Sequence, residues 1–127
     1  MATAFSVPAS LRVRRSSQSA DYIQTAAWQT VYSNAMSYAW MFASGEIDLS
    51  NMVDGDQIEI RVSKRNVENG AYIMKDSLLY EDAQPTGQKK ITIGPIMDTY
   101  GVLIEMRQPA IAVALITCYC EFFDAIR

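Results

Sequence analysis

Hydrophobic and polar residues alternate strictly over residues 57–62, where three branched apolar residues are separated by polar ones. This two-residue period is typical of a β-strand with one buried face. Asp54-Gly55-Asp56 precedes the strand as a turn signal, and Asn69-Gly70, the favoured pair for a type I′ hairpin turn, follows it. We therefore predict a strand that leads into a hairpin.

The same period recurs along most of the chain and predicts about seven or eight short strands with no convincing helix. An aromatic segment over 27–43 is either one long bent strand or a hairpin, and a strand over 100–107 should end at Pro109. The last segment, 111–123, is apolar on both faces, which predicts burial on both sides. These patterns predict an all-β fold, an antiparallel β-sandwich or jelly roll.

Charge divides the chain into two predicted parts. Residues 1–25 carry three arginines against one aspartate, while the acidic excess lies in the remainder of a chain whose net charge is −3. The first part is rich in Ser and Ala and lacks a sustained period. We predict an extended N-terminal arm at 1–25 and one β-sandwich domain at 26–127, since 127 residues suit a single domain.

Residue composition argues against an enzyme. The chain contains no histidine, the most frequent general base and metal ligand, and no glycine-rich phosphate-binding motif. We therefore predict no catalytic residues and no cofactor. Asp48, Ser50, Asp54 and Asp56 could offer oxygen ligands to Ca²⁺, but Met52 occupies a ligand position of the EF-hand pattern, so a turn before a strand is the favoured interpretation.

Other partner classes are also disfavoured. An isoelectric point near 4.8 argues against a nucleic-acid-binding protein, and no apolar run approaches the roughly 20 residues of a membrane helix. The two cysteines, Cys118 and Cys120, are predicted to be reduced and buried, because neighbours on one face of a strand are too far apart for a disulfide.

Two groups of residues are predicted to contact proteins. Arginine pairs well with carboxylates, so the arm arginines suit an acidic protein surface. Large aromatic residues are enriched in cores and subunit interfaces, although a sugar-stacking platform is an alternative for the tryptophans. The predicted partner-binding residues are Arg12, Arg14 and Arg15, and the predicted core or oligomer-interface residues are Trp28, Trp40, Tyr119 and Phe122.

Three segments resemble a known group of proteins. AWQTVYSN at 27–34, GEIDL at 45–49 with GDQIEIRV at 55–62, and YGVLIEMRQ at 100–108 are similar to stretches of small jelly-roll virion structural proteins of tailed bacteriophages. The resemblance implies a capsid cement (decoration) protein, made in the host cytoplasm and located on the capsid surface. It further implies a homotrimer that binds and stabilises the major capsid protein.

Two alternatives remain open from the sequence. One is a tail, baseplate or head–tail connector fitting of a phage, which the same resemblance allows. The other is a carbohydrate- or calcium-binding β-sandwich module, which would use an exposed Trp28 or Trp40, or the acidic loop over 48–56.

Overall fold

The computed structural model describes residues 12–126, apart from the side chain of residue 98. Within this part of the chain the secondary structure consists of eight β-strands. They are β1 Arg12–Arg15, β2 Ala20–Ile23, β3 Gln29–Asp48, β4 Gln57–Arg65, β5 Tyr72–Glu81, β6 Lys90–Ile93, β7 Ile96–Ala110 and β8 Thr117–Ile126. None of the described residues forms a helix that is long and apolar enough to cross a membrane.

All strand pairs are antiparallel and belong to one sheet, in the order β1-β8-β3-β7-β4-β5, with β2 also paired to β8 and β6 to β3. The twenty-residue β3 organises this sheet, because its first half pairs with β7 and its second half lies between β8 and β6. Its register with β7 shifts on both sides of Trp40, as it does at β-bulges. The predicted all-β antiparallel β-sandwich is confirmed, and the 27–43 segment is one long strand.

The core is formed by alternate residues of the central strands, as the two-residue period requires. Tyr32, Phe42 and Phe122 form its aromatic centre, with ring centroids 5.0 Å apart for Tyr32–Phe42 and for Tyr32–Phe122. A Cβ atom on Gly45 would lie 2.9 Å from Phe122 Cδ1, so glycine allows this close approach. Aliphatic and sulfur side chains complete the core: Ile58, Ile60, Val62, Val102, Ile104, Met106, Cys118 and Cys120.

Two local predictions are corrected by the structure. The β4–β5 connection spans 66–71, and only Asn69 has a positive φ, 58°, whereas a type I′ turn needs two such residues. The prediction of that tight turn was therefore wrong. Pro109 does not end β7, which continues to Ala110, because the register between β4 and β7 is bulged here and a bulge needs no amide donor at that position.

The predicted last strand begins later than its pattern indicates. Residues 111–116 form a loop, and β8 starts only at Thr117. The prediction of burial on both sides was wrong for this half, since Ile111, Val113 and Leu115 are all exposed. The side chains of Asp56 and Gln108, rather than a neighbouring strand, accept hydrogen bonds from amide groups of this loop.

The described part of the predicted arm belongs to the same sheet as the rest of the chain. β1 and β2 both pair with β8, and the turn between them is tied to the same strand. There the amide of Ser16 donates to the carbonyl of Phe122 at 2.7 Å, and the amide of Phe122 donates to Ser19 Oγ at 2.9 Å. Residues 1–11 of the predicted arm lie outside the described residues, and the boundary at residue 26 stays a prediction.

Candidate interaction surfaces

The loop at residues 111–116, the β7–β8 loop, presents apolar side chains to solvent. Ile111 and Leu115 are each 46% exposed, and Val113 is 87% exposed. An exposed single apolar residue needs no explanation, but adjacent ones on a defined loop mark an interaction site. This loop is the strongest candidate for a protein contact in the described chain.

Buried polar side chains hold the loop in one conformation. Asp56 and Gln108 are 1% and 0% exposed. Asp56 Oδ1 accepts from the amide of Ala112 at 2.9 Å and from Gln108 Nε2 at 3.1 Å, and Gln108 Oε1 accepts from the amide of Ile116 at 3.0 Å. Buried hydrogen bonds to a charged group are costly to break, so the apolar residues are displayed on a fixed backbone.

Two further apolar residues lie at the same end of the sandwich. The amide of Val53 donates to Asp56 Oδ2 at 2.9 Å, and Ile23 pairs with Thr117, the first residue of β8. Val53 is 46% exposed and Ile23 is 66% exposed. Two acidic residues lie at this end: Asp54 precedes Gly55, which approaches Ala112 of the loop, and Asp82 accepts from the amide of Gly55 at 2.8 Å.

A second apolar surface lies where β1, β8 and the second half of β3 are joined. It is a shallow groove of about 510 Å³, the apolar groove, lined by Val13, Met41, Ala43, Ser44, Pro95 and Phe123. Val13, at 52% exposure, lies between Arg12 and Arg14 along β1. Because successive side chains of a strand point to opposite faces, Arg12 and Arg14 lie on the other face of β1 from Val13, and the groove is lined mainly by apolar residues.

The predicted partner-binding arginines differ in their surroundings. Arg15 Nε lies 3.1 Å from Glu121 Oε2, and its Nη2 donates to the hydroxyl of Tyr119 at 2.8 Å. Arg12 and Arg14 are exposed and form no ion pair with another described residue. The charges of Arg12 and Arg14 are thus the ones available to a partner, while Arg15 is used to attach β1 to β8.

The four predicted aromatic residues divide between core and surface. Trp40 and Phe122 are buried in the core, at 6% and 0% exposure, whereas Tyr119 and Trp28 are half-buried. The Trp28 ring is covered by guanidinium groups, whose Cζ atoms lie 4.1 Å (Arg61) and 4.6 Å (Arg107) from its centroid. The interface roles of Trp28 and Tyr119 stay predictions, and the buried Trp40 offers no open stacking face.

The acidic loop of the calcium hypothesis uses its carboxylates for backbone contacts. Asp48 Oδ1 accepts from the amide of Ser50 at 2.8 Å, and Asp54 Oδ1 accepts from the amide of Ala83 at 3.2 Å. Burial opposes ionisation of Asp48, but hydrogen bonds from Ser50 and the charge of Lys90 outweigh it and lower its pKa. Among residues 12–126, no three acidic, cysteine or histidine side chains gather to hold a metal ion.

The two cysteines are unbonded, buried thiols, as predicted. Burial raises the pKa of Cys118 to about 12, and burial also raises the pKa of Cys120. Cys120 Sγ lies 3.7 Å from Met106 Sδ within the core. Both groups behave as small hydrophobic residues at neutral pH, because the neutral thiol is neither a good nucleophile nor a metal ligand.

Sequence reasoning missed the residues that hold the loop. Gln108 continues the core-facing series 102, 104 and 106 of β7, so a polar residue at that position signals a specific buried hydrogen-bond acceptor and donor. The sequence pattern indicates Asp56 as part of a turn or as a candidate oxygen ligand for Ca²⁺, and does not indicate a contact with the β7–β8 loop. The role of Asp56 depends on the loop that β7 places above it, and no local pattern encodes that contact.

Comparison with known proteins gives the fold and little more. No protein-family model matches the chain, and no curated protein matches its sequence. Among solved structures it is similar to the crystal structure of the infectious bursal disease virus VP2 subviral particle, with a TM-score of 0.54 and 12% identity over 91% of this chain. The match covers 32% of that chain, so this protein spans about a third of its length. At this identity the similarity shows a shared β fold.

Proposed function

We propose that this chain is a non-enzymatic structural protein of a virion, and more specifically a decoration protein that binds the major capsid protein and strengthens the shell. The observation that carries the proposal is the fold: nearly the whole chain superimposes on part of a viral capsid protein, VP2. The resemblance of three sequence segments to tailed-phage virion proteins supports the same class.

The surfaces of the molecule support a role in assembly. The fixed, exposed β7–β8 loop and the apolar groove are both suited to protein contacts, and they lie on a rigid sandwich. Arg12 and Arg14 add exposed positive charge that suits an acidic shell surface. A decoration protein acts by adding buried intersubunit area, so that separating the shell subunits costs more free energy.

The proposal is tested first by location. Antibodies raised against the recombinant protein are used for immunogold labelling of virus particles purified from the source of this chain. Label over the heads supports a capsid decoration protein, and label confined to the tail or neck supports a tail or connector fitting instead. Absence of the protein from purified particles, checked by mass spectrometry, contradicts a virion role.

The arginine contact is tested by charge reversal. We expect Arg12→Glu with Arg14→Glu to weaken binding to purified undecorated capsids in a cosedimentation assay, with the defect greatest at low salt. The matched control is Lys64→Glu with Lys75→Glu, which makes the same change in net charge on β4 and β5. Equal binding by the two double variants would remove the arginines from the contact.

A further inference from the structure

We propose that a polar cleft between the β1–β2 turn, the first half of β3 and Asp124 of β8 binds a neutral saccharide through its hydroxyl groups. The polar cleft has a volume of about 440 Å³, which is within the range of small-ligand sites. Its side chains are polar, and those that bind the ligand in this proposal are Arg14, Ser17, Asn34 and Asp124. None of these four residues lines the apolar groove.

The register of the sheet brings Arg14 and Asp124 to the same face. They are directly opposite in the pairing of β1 with β8, and directly opposite side chains of an antiparallel pair lie on one face with Cβ atoms about 5 Å apart. Arg15, which also borders the polar cleft, uses its guanidinium to bind Glu121 and Tyr119. Arg14 therefore supplies the guanidinium that a ligand in the polar cleft can contact.

Several polar atoms of the cleft keep hydrogen-bonding capacity. Asp124 Oδ1 accepts from the hydroxyl of Tyr32, whose pKa is raised chiefly by burial, so this hydroxyl stays protonated and donates. Asn34 Nδ2 makes one bond of 3.4 Å, to the same hydroxyl. Asp124 Oδ2, Asn34 Oδ1 and the guanidinium of Arg14 have no hydrogen-bond or ionic partner among residues 12–126. These groups are available to a ligand.

The turn that forms one wall of the polar cleft is ordered without a ligand. The side-chain amide of Gln18 exchanges two hydrogen bonds of 2.9 Å with the backbone of Ser33, and the backbone amide of Gln18 donates to Ser16 Oγ at 3.1 Å. The amide of Ser16 donates to the carbonyl of Phe122 at 2.7 Å. A wall that is already held by such bonds loses little conformational entropy when a ligand enters.

The mixture of donors and acceptors selects the class of ligand. A guanidinium only donates, an ionised carboxylate only accepts, and an amide or a hydroxyl does both. A sugar hydroxyl also does both, so adjacent hydroxyl groups of one ring can satisfy Arg14 and Asp124 together. A single anion would be repelled by Asp124, and a single cation would be repelled by Arg14. Neutral hydroxyl groups avoid both repulsions, so a saccharide suits the polar cleft better than an ion does.

The test is an NMR titration of the isotope-labelled full chain with the methyl glycosides of glucose, galactose, mannose and N-acetylglucosamine. We expect at least one glycoside to bind with a dissociation constant of about 1 mM, since a few hydrogen bonds with little apolar burial give weak affinity. The amide signals of Ser17, Gln18 and Asn34 should shift, and binding should persist at high salt because the ligand is uncharged. A panel in which no glycoside shifts these signals would overturn the proposal.

Asp124→Asn is expected to weaken binding of that glycoside by about tenfold or more, because the acceptor Oδ2 becomes an amide donor while Oδ1 still accepts from Tyr32. The matched control is Asp21→Asn, the same change on β2 outside the polar cleft. Arg14→Gln, at an exposed side chain, is expected to weaken binding as well and replaces Asp124→Asn if thermal unfolding shows that variant to be unfolded. Affinities equal to that of the control would contradict the assigned contacts.

Two competing ligands are further arms of the same titration. Inorganic phosphate that shifts these signals while every glycoside is silent would assign the polar cleft to an anion, and glycine doing so would assign it to a zwitterion; either result overturns the proposal. The inference shares Arg14 with the proposed capsid contact but needs no virion. A chain that binds a glycoside yet is absent from virus particles would contradict only the virion role, and a chain found on capsids that binds no glycoside would contradict only the saccharide site.

Discussion

Asp56 shows how one buried carboxylate organises a surface. Its two oxygens accept three hydrogen bonds, from the amides of Val53 and Ala112 and from Gln108 Nε2. The group is 1% exposed, so no water can replace these donors without opening the loop. A single side chain thereby couples the turn before β4 to the loop before β8.

Asp56→Asn is expected to destabilise the protein by roughly 1.5–3 kcal/mol, because one amide nitrogen would face donors that now bind an oxygen, and the charge-assisted bonds would be lost. The measurement is the free energy of unfolding from urea titration. Asp54→Asn is the control, since this exposed residue makes one hydrogen bond of 3.2 Å. We expect the control to change stability by less than about 0.5 kcal/mol.

The buried thiols predict a loss of stability at alkaline pH. Burial raises the pKa of Cys118 to about 12 from an ordinary value of 9.0. Because the pKa is raised in the folded state, the contribution of the neutral thiol to the free energy of unfolding is fully present below pH 9. It is lost as pH rises from 9 toward 12, since the thiol of the unfolded chain ionises first. Each thiol contributes a slope of up to about 1.4 kcal/mol per pH unit.

Cys118→Ala is expected to have a shallower decline of unfolding free energy above pH 9 than the wild type. The slope is compared rather than the stability itself, because the smaller side chain also leaves a cavity. Parallel slopes for the two proteins would show that Cys118 ionises at an ordinary pKa. Tyr32, whose pKa is raised chiefly by burial, is present in both proteins and cancels in the comparison.

At the scale of the strand, β3 has an unpaired edge that the β1–β2 turn protects. The first half of β3 pairs with β7 on one side. On the other side the side-chain amide of Gln18 exchanges two hydrogen bonds with the backbone of Ser33, as the backbone of a neighbouring strand would. Gln18 Nε2 donates to the carbonyl of Ser33 at 2.9 Å, and the amide of Ser33 donates to Gln18 Oε1 at 2.9 Å. Covered edges resist pairing with other chains.

Gln18→Ala is expected to leave the Ser33 amide unpaired and to increase its hydrogen-exchange rate in the folded protein by about fivefold or more, as a lost net hydrogen bond of roughly 1 kcal/mol or more implies. The measurement is amide exchange by NMR. Gln84→Ala, a change in the exposed connection between β5 and β6, is the control. An unchanged Ser33 rate would show that the side chain does not protect the edge.

The strands were the most predictable elements. Alternation located β4 and most of β7 because each has one face in the core and one in contact with solvent or charged neighbours. The alternation pattern failed for residues 111–116, because apolar residues that are exposed on this loop recur at every second position, as the buried residues of a strand do. It also placed the end of β7 at Pro109, because bulges depend on the partner strand.

For the whole molecule, residues 12–15 and 20–23 of the predicted arm pair with β8 of the sandwich. β1 and β2 together occupy one edge of β8, and Ser16 and Ser19 are buried against it. The separation of arm and body was predicted from charge and composition. Those properties describe the surface of a segment and carry no information on which strand it pairs with.

Deletion of residues 1–23 is expected to lower thermal stability strongly or to cause aggregation, because β8 would lose its partners over Thr117–Cys120 and Phe123–Ile126. The comparison is a truncation of residues 1–11, which keeps every contact described above. Calorimetry and light scattering measure the difference. Equal melting temperatures for the two truncations would show that β1 and β2 are dispensable.

The sequence by itself determined the all-β fold class of this protein. A two-residue period places apolar residues on one face of a strand, and strands bury such faces by forming sheets. The sequence also determined that the cysteines are buried and that arginines cluster near the start. The tertiary structure decided which surfaces remain exposed. Asp56 precedes Gln108 and Ala112 by more than 50 residues, and their contact exists because β4 pairs with β7 beside the loop that leads to β8. Such contacts depend on the path of the whole chain, which no local pattern records.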